Sequence, residues 1–441
     1  MKRMLTVVVM SLLVAAVAFA GGQAEGADEE VTLRVTTQSD QAEHFQSHAE
    51  SFMEENPNVT IEIDVAGDVA AFKQTAPQLF ASSDSPDASY YWAEPQSGYR
   101  VLLRADELLP LDDVYEEHDL PDVLPPGIHD FYLNFGHDDG SYYAAPVGGV
   151  YFPVIYYNRA IFEEVGIEAP DGSYPTVEEF VEMAERLSEA GYEPITAGLL
   201  EGWIVGHVND AIFQRMVPQE IAADLKESWI EGAEPEYSWT HPEVVEAFAT
   251  LNEWYDAVFA EGSLSRSYAE GRSLFIQERA AMYSDGSWGA ASIRAEAGED
   301  FDFGWFMYPQ IEDDIEPQML AYYGDAIVIP RRSQHPEVAL DFVSHWMSLE
   351  RQRVTASEFG FIPARGDIDP DFMESALGYP VSSMWQAANR YGATTSIGNS
   401  VSSQLSSRSF SLLQDMLSGR NTPEGVAEAL EEIAERSRSG R

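Results

Sequence analysis

Residues 31–92 alternate strand, helix, strand, helix, strand, and that order leaves few folds open to the chain. Residues 31–37 (VTLRVTT) alternate apolar and polar side chains as a strand does. Residues 40–56 carry Phe45, Ala49, Phe52 and Met53 at helical spacing and stop at Asn56-Pro57. Residues 59–65 alternate again, 70–81 read as a second helix, and 88–92 (ASYYW) follow Ser85-Pro86-Asp87 as a third strand. This order predicts a parallel sheet with right-handed crossovers. Ligands of such sheets sit beyond the carboxyl ends of the strands, so residues 38–41, with Gln41 among them, and residues 92–96 should face one crevice.

Residues 140–158 (GSYYAAPVGGVYFPVIYYN) come next in weight. Tyr, Val and Ile suit a buried strand over 150–157, and Gly148-Gly149 relax the backbone just before it. Alone, this is either a core strand or a passage from one lobe to another. The chain then becomes helix-rich, with helices expected over 160–165, 176–190, 205–216, 241–259 and 287–297. Thr176 and Glu179 have capping-box spacing, and Gly191 ends that helix. Residues 301–309 (FDFGWFMYP) form a second alternating apolar stretch, a candidate return passage, before a short buried strand over 326–329. Residues 336–349 and 423–436 are amphipathic helices. Two lobes joined by more than one strand hinge about them and hold ligand between them.

The first twenty residues stand apart from the fold. Lys2 and Arg3 precede an apolar run over 5–20 that ends in Ala18-Phe19-Ala20, the pattern of a secretory leader cleaved after Ala20. A membrane anchor needs a longer run. Residues 21–30 (GGQAEGADEE) read as a disordered tether. The chain contains no Cys, which excludes disulfides, thiolate metal sites, Cys nucleophiles and a lipid-bearing Cys at the cleavage point. The expected location is therefore a periplasm, free of a lipid anchor.

The 75 acidic residues outnumber the 25 basic ones three to one, for a net charge of −50. Nucleic acid and anionic membrane are poor partners for such a surface. Acidic residues occur in every segment, which fits a solvated shell adapted to high salt better than a device for binding cations. The charge describes a habitat and leaves the activity to be read elsewhere.

Nine His are present, yet no nucleophile elbow, His-Glu-x-x-His, phosphate loop or dinucleotide fingerprint appears. His44 and His48 lie four apart with Asp40 one turn earlier and could hold a metal ion; their polar surroundings favour solvated surface, and no metal or other cofactor is expected. Aromatic–carboxylate pairs point further: Trp92 with Glu94, Glu201 with Trp203, Asp285 with Trp288, and Tyr322-Tyr323 with Asp325, each at a strand end or in a loop. Sugars present C–H faces that stack on rings and hydroxyl rims that bond to carboxylates. The same carboxylates could serve a glycosidase, which needs two of them about 5–10 Å apart. Their division between lobes weighs against that.

Over nearly the whole mature chain these stretches resemble the extracellular solute-binding proteins of ABC sugar importers, the group that includes maltose-binding protein. Residues 140–158 with 160–167 (AIFEEVGI) look like the family's crossing strand and the helix after it. Residues 175–195 resemble its P-x-T-W-E-E helix, with Val177 where Trp is frequent. Residues 275–288 (FIQERAAMYSDGSW) resemble its F-x-x-G-x-A-A-M signature, with Glu278 in place of Gly; 324–348 and 360–365 (GFIPAR) complete the match. The resemblance implies an α/β fold of the Venus-flytrap kind, two lobes with chain crossovers, and a sugar or polyol in the cleft. It implies lobes of 31–148 with 308–366 and 149–307 with 367–441. It also implies a monomer that is no enzyme and that works with ABC permease subunits. Carried over by position, ligand contacts fall at Asp40, Trp92, Glu94, Tyr151, Glu201, Trp203 and Trp288, with Tyr323, Asp325 and Arg365 beside them.

Overall fold

The computed structural model describes residues 30–440 except 68, 96–97, 126, 129–139, 150, 299, 313–314, 316–318 and 322–324. The expected leader, nearly all of the tether, and Tyr323 lie outside the described residues. Among the described residues no helix is long and apolar enough to cross a membrane.

The first sheet grows from the strand–helix alternation. Strands β1 (Val31–Gln38), β2 (Val59–Ala66) and β3 (Ala88–Trp92) pair in parallel, with β1 in the middle. The helices between them, Ala42–Glu55 and Val69–Phe80, begin and end within two residues of the sequence expectation. The first of these buries more than was expected. His44 and His48 lie on the same buried stripe as Phe45, Ala49 and Phe52, because a core-facing helical stripe spans more than the strict i, i+4 positions. They are therefore not solvated surface: His48 stacks on Trp346 at 3.7 Å between ring centres, and His44 bonds to Thr355 Oγ1 at 2.9 Å. No cluster of three His, Asp or Glu suited to a metal occurs among the described residues.

Two further strands complete this sheet in the order β2-β1-β3-β10-β4, where β4 is Ala145–Pro146 and β10 is Asp325–Val328. Strand β10 runs antiparallel to both neighbours and sets Asp325 opposite Trp92. The second sheet has the order β6-β7-β5-β8: β5 is Pro153–Asn158, β6 Glu193–Thr196, β7 Ala280–Gly286 and β8 Phe303–Phe306. Helices Val177–Glu189, Gly202–Met216, Pro242–Val258, Ser403–Leu417 and Pro423–Arg438 pack around it in a second core. The capping box at Thr176 is present in both directions, Glu179 N–H to Thr176 Oγ1 at 3.2 Å and Thr176 N–H to Glu179 Oε2 at 2.8 Å.

The chain thus passes between the sheets at 147–152, inside the stretch that the sequence marked. Its strand starts at Pro153, three residues later than expected. Gly149 is there for a different reason than flexibility. Its N–H bonds to the Ile362 carbonyl at 2.5 Å, and a Cβ on it would stand 2.5 Å from both Ile362 Cγ2 and the Pro363 carbonyl. The second passage follows β8, which is itself wholly an edge strand of the second sheet. Further along, the chain touches both halves: the Trp385 indole N–H donates to the Arg365 carbonyl at 3.1 Å, and the Trp305 indole N–H of β8 donates to Ser383 Oγ at 2.7 Å. Two helices lie in this part of the chain, Pro370–Leu377 and Val381–Tyr391. Strands β9 (Met319–Ala321) and β11 (Ala393–Thr395) pair in parallel as a small ribbon.

Candidate functional site

Both sheets aim strand ends at the region between the lobes, and the marked residues fall there in two groups. The second-sheet group is aromatic. Asp285, near the end of β7 and opposite Val154 of β5, is buried and accepts the Tyr268 hydroxyl at 2.9 Å. The Trp288 indole N–H donates to that same hydroxyl at 3.1 Å. Glu201 precedes helix Gly202–Met216 and accepts the Tyr268 N–H at 2.8 Å. Trp203 lies in the first turn of this helix, which starts three residues earlier than expected. Its ring stands 5.4 Å from Tyr268 and 6.2 Å from Trp288. His207, one turn on, touches both Trp203 and Trp288. Tyr151, on the first passage, meets Trp288 edge-on at 6.1 Å.

Burial governs the charges here. It pushes the Asp285 carboxyl up to about 7, against the pull of the Gly286 N–H and the Tyr268 hydroxyl, and the Tyr283 hydroxyl approaches the same carboxyl. Burial also pushes His207 down to about 3, so the ring is neutral. The result is a half-buried aromatic enclave with a carboxyl in its wall.

The first-sheet group is polar. Asp325 accepts the Tyr90 hydroxyl at 2.5 Å, and Gln38 Nε2 donates to that hydroxyl at 3.1 Å. Burial raises the Asp325 carboxyl, while the Tyr90 hydrogen bond and the Lys73 charge pull it back. Burial and the Asp325 charge both push the Tyr151 hydroxyl up, which sets Tyr151 between the two groups. Glu94 is buried, takes an amide hydrogen bond from Asn399 at 2.9 Å, and stands 3.9 Å from Lys73 Nζ. Lys73 also lies 4.2 Å over the Trp92 ring. With Tyr90 against it at 4.9 Å, Trp92 is buried and presents little of its ring to solvent.

Three marked residues stand outside these groups. Asp40 is exposed beside Ser39, whose hydroxyl it accepts at 3.3 Å. Gln41 is buried and bonds through its side-chain oxygen to His44 Nδ1 at 3.2 Å. The Arg365 guanidinium forms a two-pronged pair with Asp367, both bonds 2.8 Å, and donates to the Met347 carbonyl at 3.2 Å. It ties the first lobe together.

Lys73, Tyr90, His207, Tyr268 and Asn399 were not anticipated. Tyr268 had a legible signal: Ser267 and Glu270 form a capping box that starts helix Tyr268–Ile276. Asn399 follows the helix cap Ser396, a local signal for the turn but not for what the turn faces.

Chemically, the enclave offers ring faces for C–H stacking and carboxylates on both lobes for hydroxyl groups. The model of the bacterial extracellular solute-binding protein family matches residues 37–352, and the chain belongs to that family. An uncharacterised ABC transporter extracellular-binding protein of Pyrococcus horikoshii is 26% identical over 342 residues, 76% of this chain and 71% of that one. The xylose/arabinose-binding protein XacG of Haloferax volcanii is 24% identical over 237 residues, 53% of this chain and 48% of its own length. Among solved structures, a chitin oligosaccharide binding protein superposes with a TM-score of 0.74 at 21% identity, covering 93% of this chain and all of the other. The fold is therefore the two-lobe solute-binding fold, and the chain is a solute-binding protein of the ABC importer class.

Proposed function

We propose that this chain captures a sugar between its lobes by stacking it on Trp203 and Trp288 and bonding its hydroxyls to carboxylates, then closes and delivers it to ABC permease subunits. The observation that carries this reading is the Trp203–Tyr268–Trp288 enclave walled by Asp285, set against Asp325 and Glu94 across the cleft. The names of relatives that bind xylose, arabinose and chitin oligosaccharides support it. A polyol would use the same hydroxyl chemistry with less stacking. The chain acts as a binder and not as a glycosidase: Asp285 belongs to one lobe and Asp325 and Glu94 to the other, so their spacing changes as the cleft opens. The leader at 1–20 and the absence of Cys support work as a free periplasmic monomer, and the acidic surface supports a salty setting.

The test is tryptophan fluorescence of the purified chain in high salt, titrated with a panel of pentoses, hexoses, amino sugars, oligosaccharides and polyols. Saturable change with at least one sugar, lost in Trp288→Ala, is the expected result. No response to any of them overturns the reading. Recovery of the bound sugar intact after prolonged incubation separates a binder from a hydrolase.

A further inference from the structure

Helix Gly202–Met216 runs from the aromatic enclave toward a second lobe-to-lobe contact. Trp203 and His207 face the enclave; Asp210, further along, accepts the Gly398 N–H at 3.1 Å. The helical rise is about 10 Å from Trp203 to Asp210 and about 4.5 Å from His207 to Asp210. The corner at 398–399 is held from several sides. Ser396 Oγ accepts the Asn399 N–H at 3.0 Å, and Lys226 donates to the Thr395 carbonyl at 2.8 Å and to its hydroxyl at 2.7 Å. From this fixed corner the Asn399 amide crosses to the other lobe and donates to Glu94 Oε2 at 2.9 Å. Behind Glu94 stand Lys73 and the Trp92 ring.

We propose that the Glu94–Asn399 hydrogen bond closes one end of the cleft, so that a saccharide is held by its terminal unit rather than by the middle of its chain. This rests on the sugar reading above. A chain threaded past this point would have to part the amide from a carboxylate that is only 3% exposed, leaving a buried charge short of a donor. A longer chain would then be directed away from this bond, past the aromatic floor. Asn399 and Glu94 thereby become specificity-determining residues.

The test compares affinity per molecule along four series of one to six units built on xylose, N-acetylglucosamine, glucose and galactose. Recognition of a chain end predicts that affinity levels off after the first few units and then stays within about twofold. Asn399→Ala, and Asn399→Asp, which sets a second carboxylate beside Glu94, should turn that plateau into a rise with length, at some cost in melting temperature. In the parent chain, affinity that climbs steadily from disaccharide to hexasaccharide overturns the inference and leaves the sugar reading standing. Absence of binding by every member of every series overturns both.

Discussion

The Tyr268 hydroxyl donates to the Asp285 carboxylate at 2.9 Å while accepting the Trp288 indole N–H at 3.1 Å, so one phenol fixes both the carboxyl and the ring of the enclave. Tyr268→Phe keeps the ring and removes both bonds. Each is an ordinary hydrogen bond with a net worth near 1 kcal/mol, and the one to the carboxylate is the stronger. We expect Tyr268→Phe to fold and to weaken solute binding about tenfold, because Trp288 loses its fixed orientation. Calorimetric titration with the sugar that the parent chain binds is the check, and unchanged affinity would mean the ring orientation is set elsewhere.

Asp285 also predicts how stability follows pH. Burial pushes its carboxyl up to about 7, whereas an unfolded Asp titrates near 3.9. Between those values the folded chain holds a proton that the unfolded chain has released. The contribution is full below about pH 4 and is lost as pH rises through 7. Asp210, pushed up to about 7 for the same reason, adds a second term of the same sign. Asp285→Asn removes one of the two. Melting temperature measured from pH 5 to 8 should decline less steeply in this variant than in the parent.

What the sequence showed and what it hid divide along one line. Local signals were legible: strand alternation in β1 to β3, the Thr176 capping box, and the stretch carrying the first passage. Trp288 and Asp285 could be marked because an aromatic beside an acid at a strand end is itself a local pattern. Partners distant in the chain were not legible. Asn399 meets Glu94 from 305 residues away, and Lys73 reaches the Trp92 ring from the helix that precedes β3. Trp92 looked like a stacking ring in sequence because nothing local says that a lysine will cover it. Arg365 matched a position in a family pattern, but its planar fork is engaged by Asp367 two residues on.

The buried histidines give stability a limb of the opposite sign. Burial, with the Arg351 charge added, pushes His44 down to about 3, and His48 is driven well below its usual range by burial, His44, Arg351 and His345. Below about pH 6.5 the unfolded chain takes up protons that the folded chain refuses. The stability these rings contribute is present above that pH and is lost as pH falls, for His44 toward 3, with one proton worth at most about 1.4 kcal/mol per pH unit. His44→Gln removes one titration and leaves an amide able to meet Thr355. Urea unfolding at pH 6.5, 5.5 and 4.5 should show a shallower acid limb for this variant than for the parent.

Gly149 offers the sharpest structural test of the first passage. Its backbone rests against the 362–363 segment so closely that an added methyl would meet Ile362 Cγ2 and the Pro363 carbonyl at 2.5 Å, and the carbonyl belongs to backbone that cannot swing aside. Overpacking of this kind costs roughly 1–3 kcal/mol. Gly148 is less confined, with the Ile362 carbonyl at 3.3 Å from its would-be Cβ. Gly149→Ala should therefore lower the urea midpoint clearly, and Gly148→Ala only slightly. If the pair served only to loosen the chain, the two substitutions would act alike. Because the closely packed segment is also a passage between the lobes, Gly149→Ala should alter solute affinity as well, whereas a fold defect confined to the first lobe would leave the affinity of the surviving folded fraction unchanged.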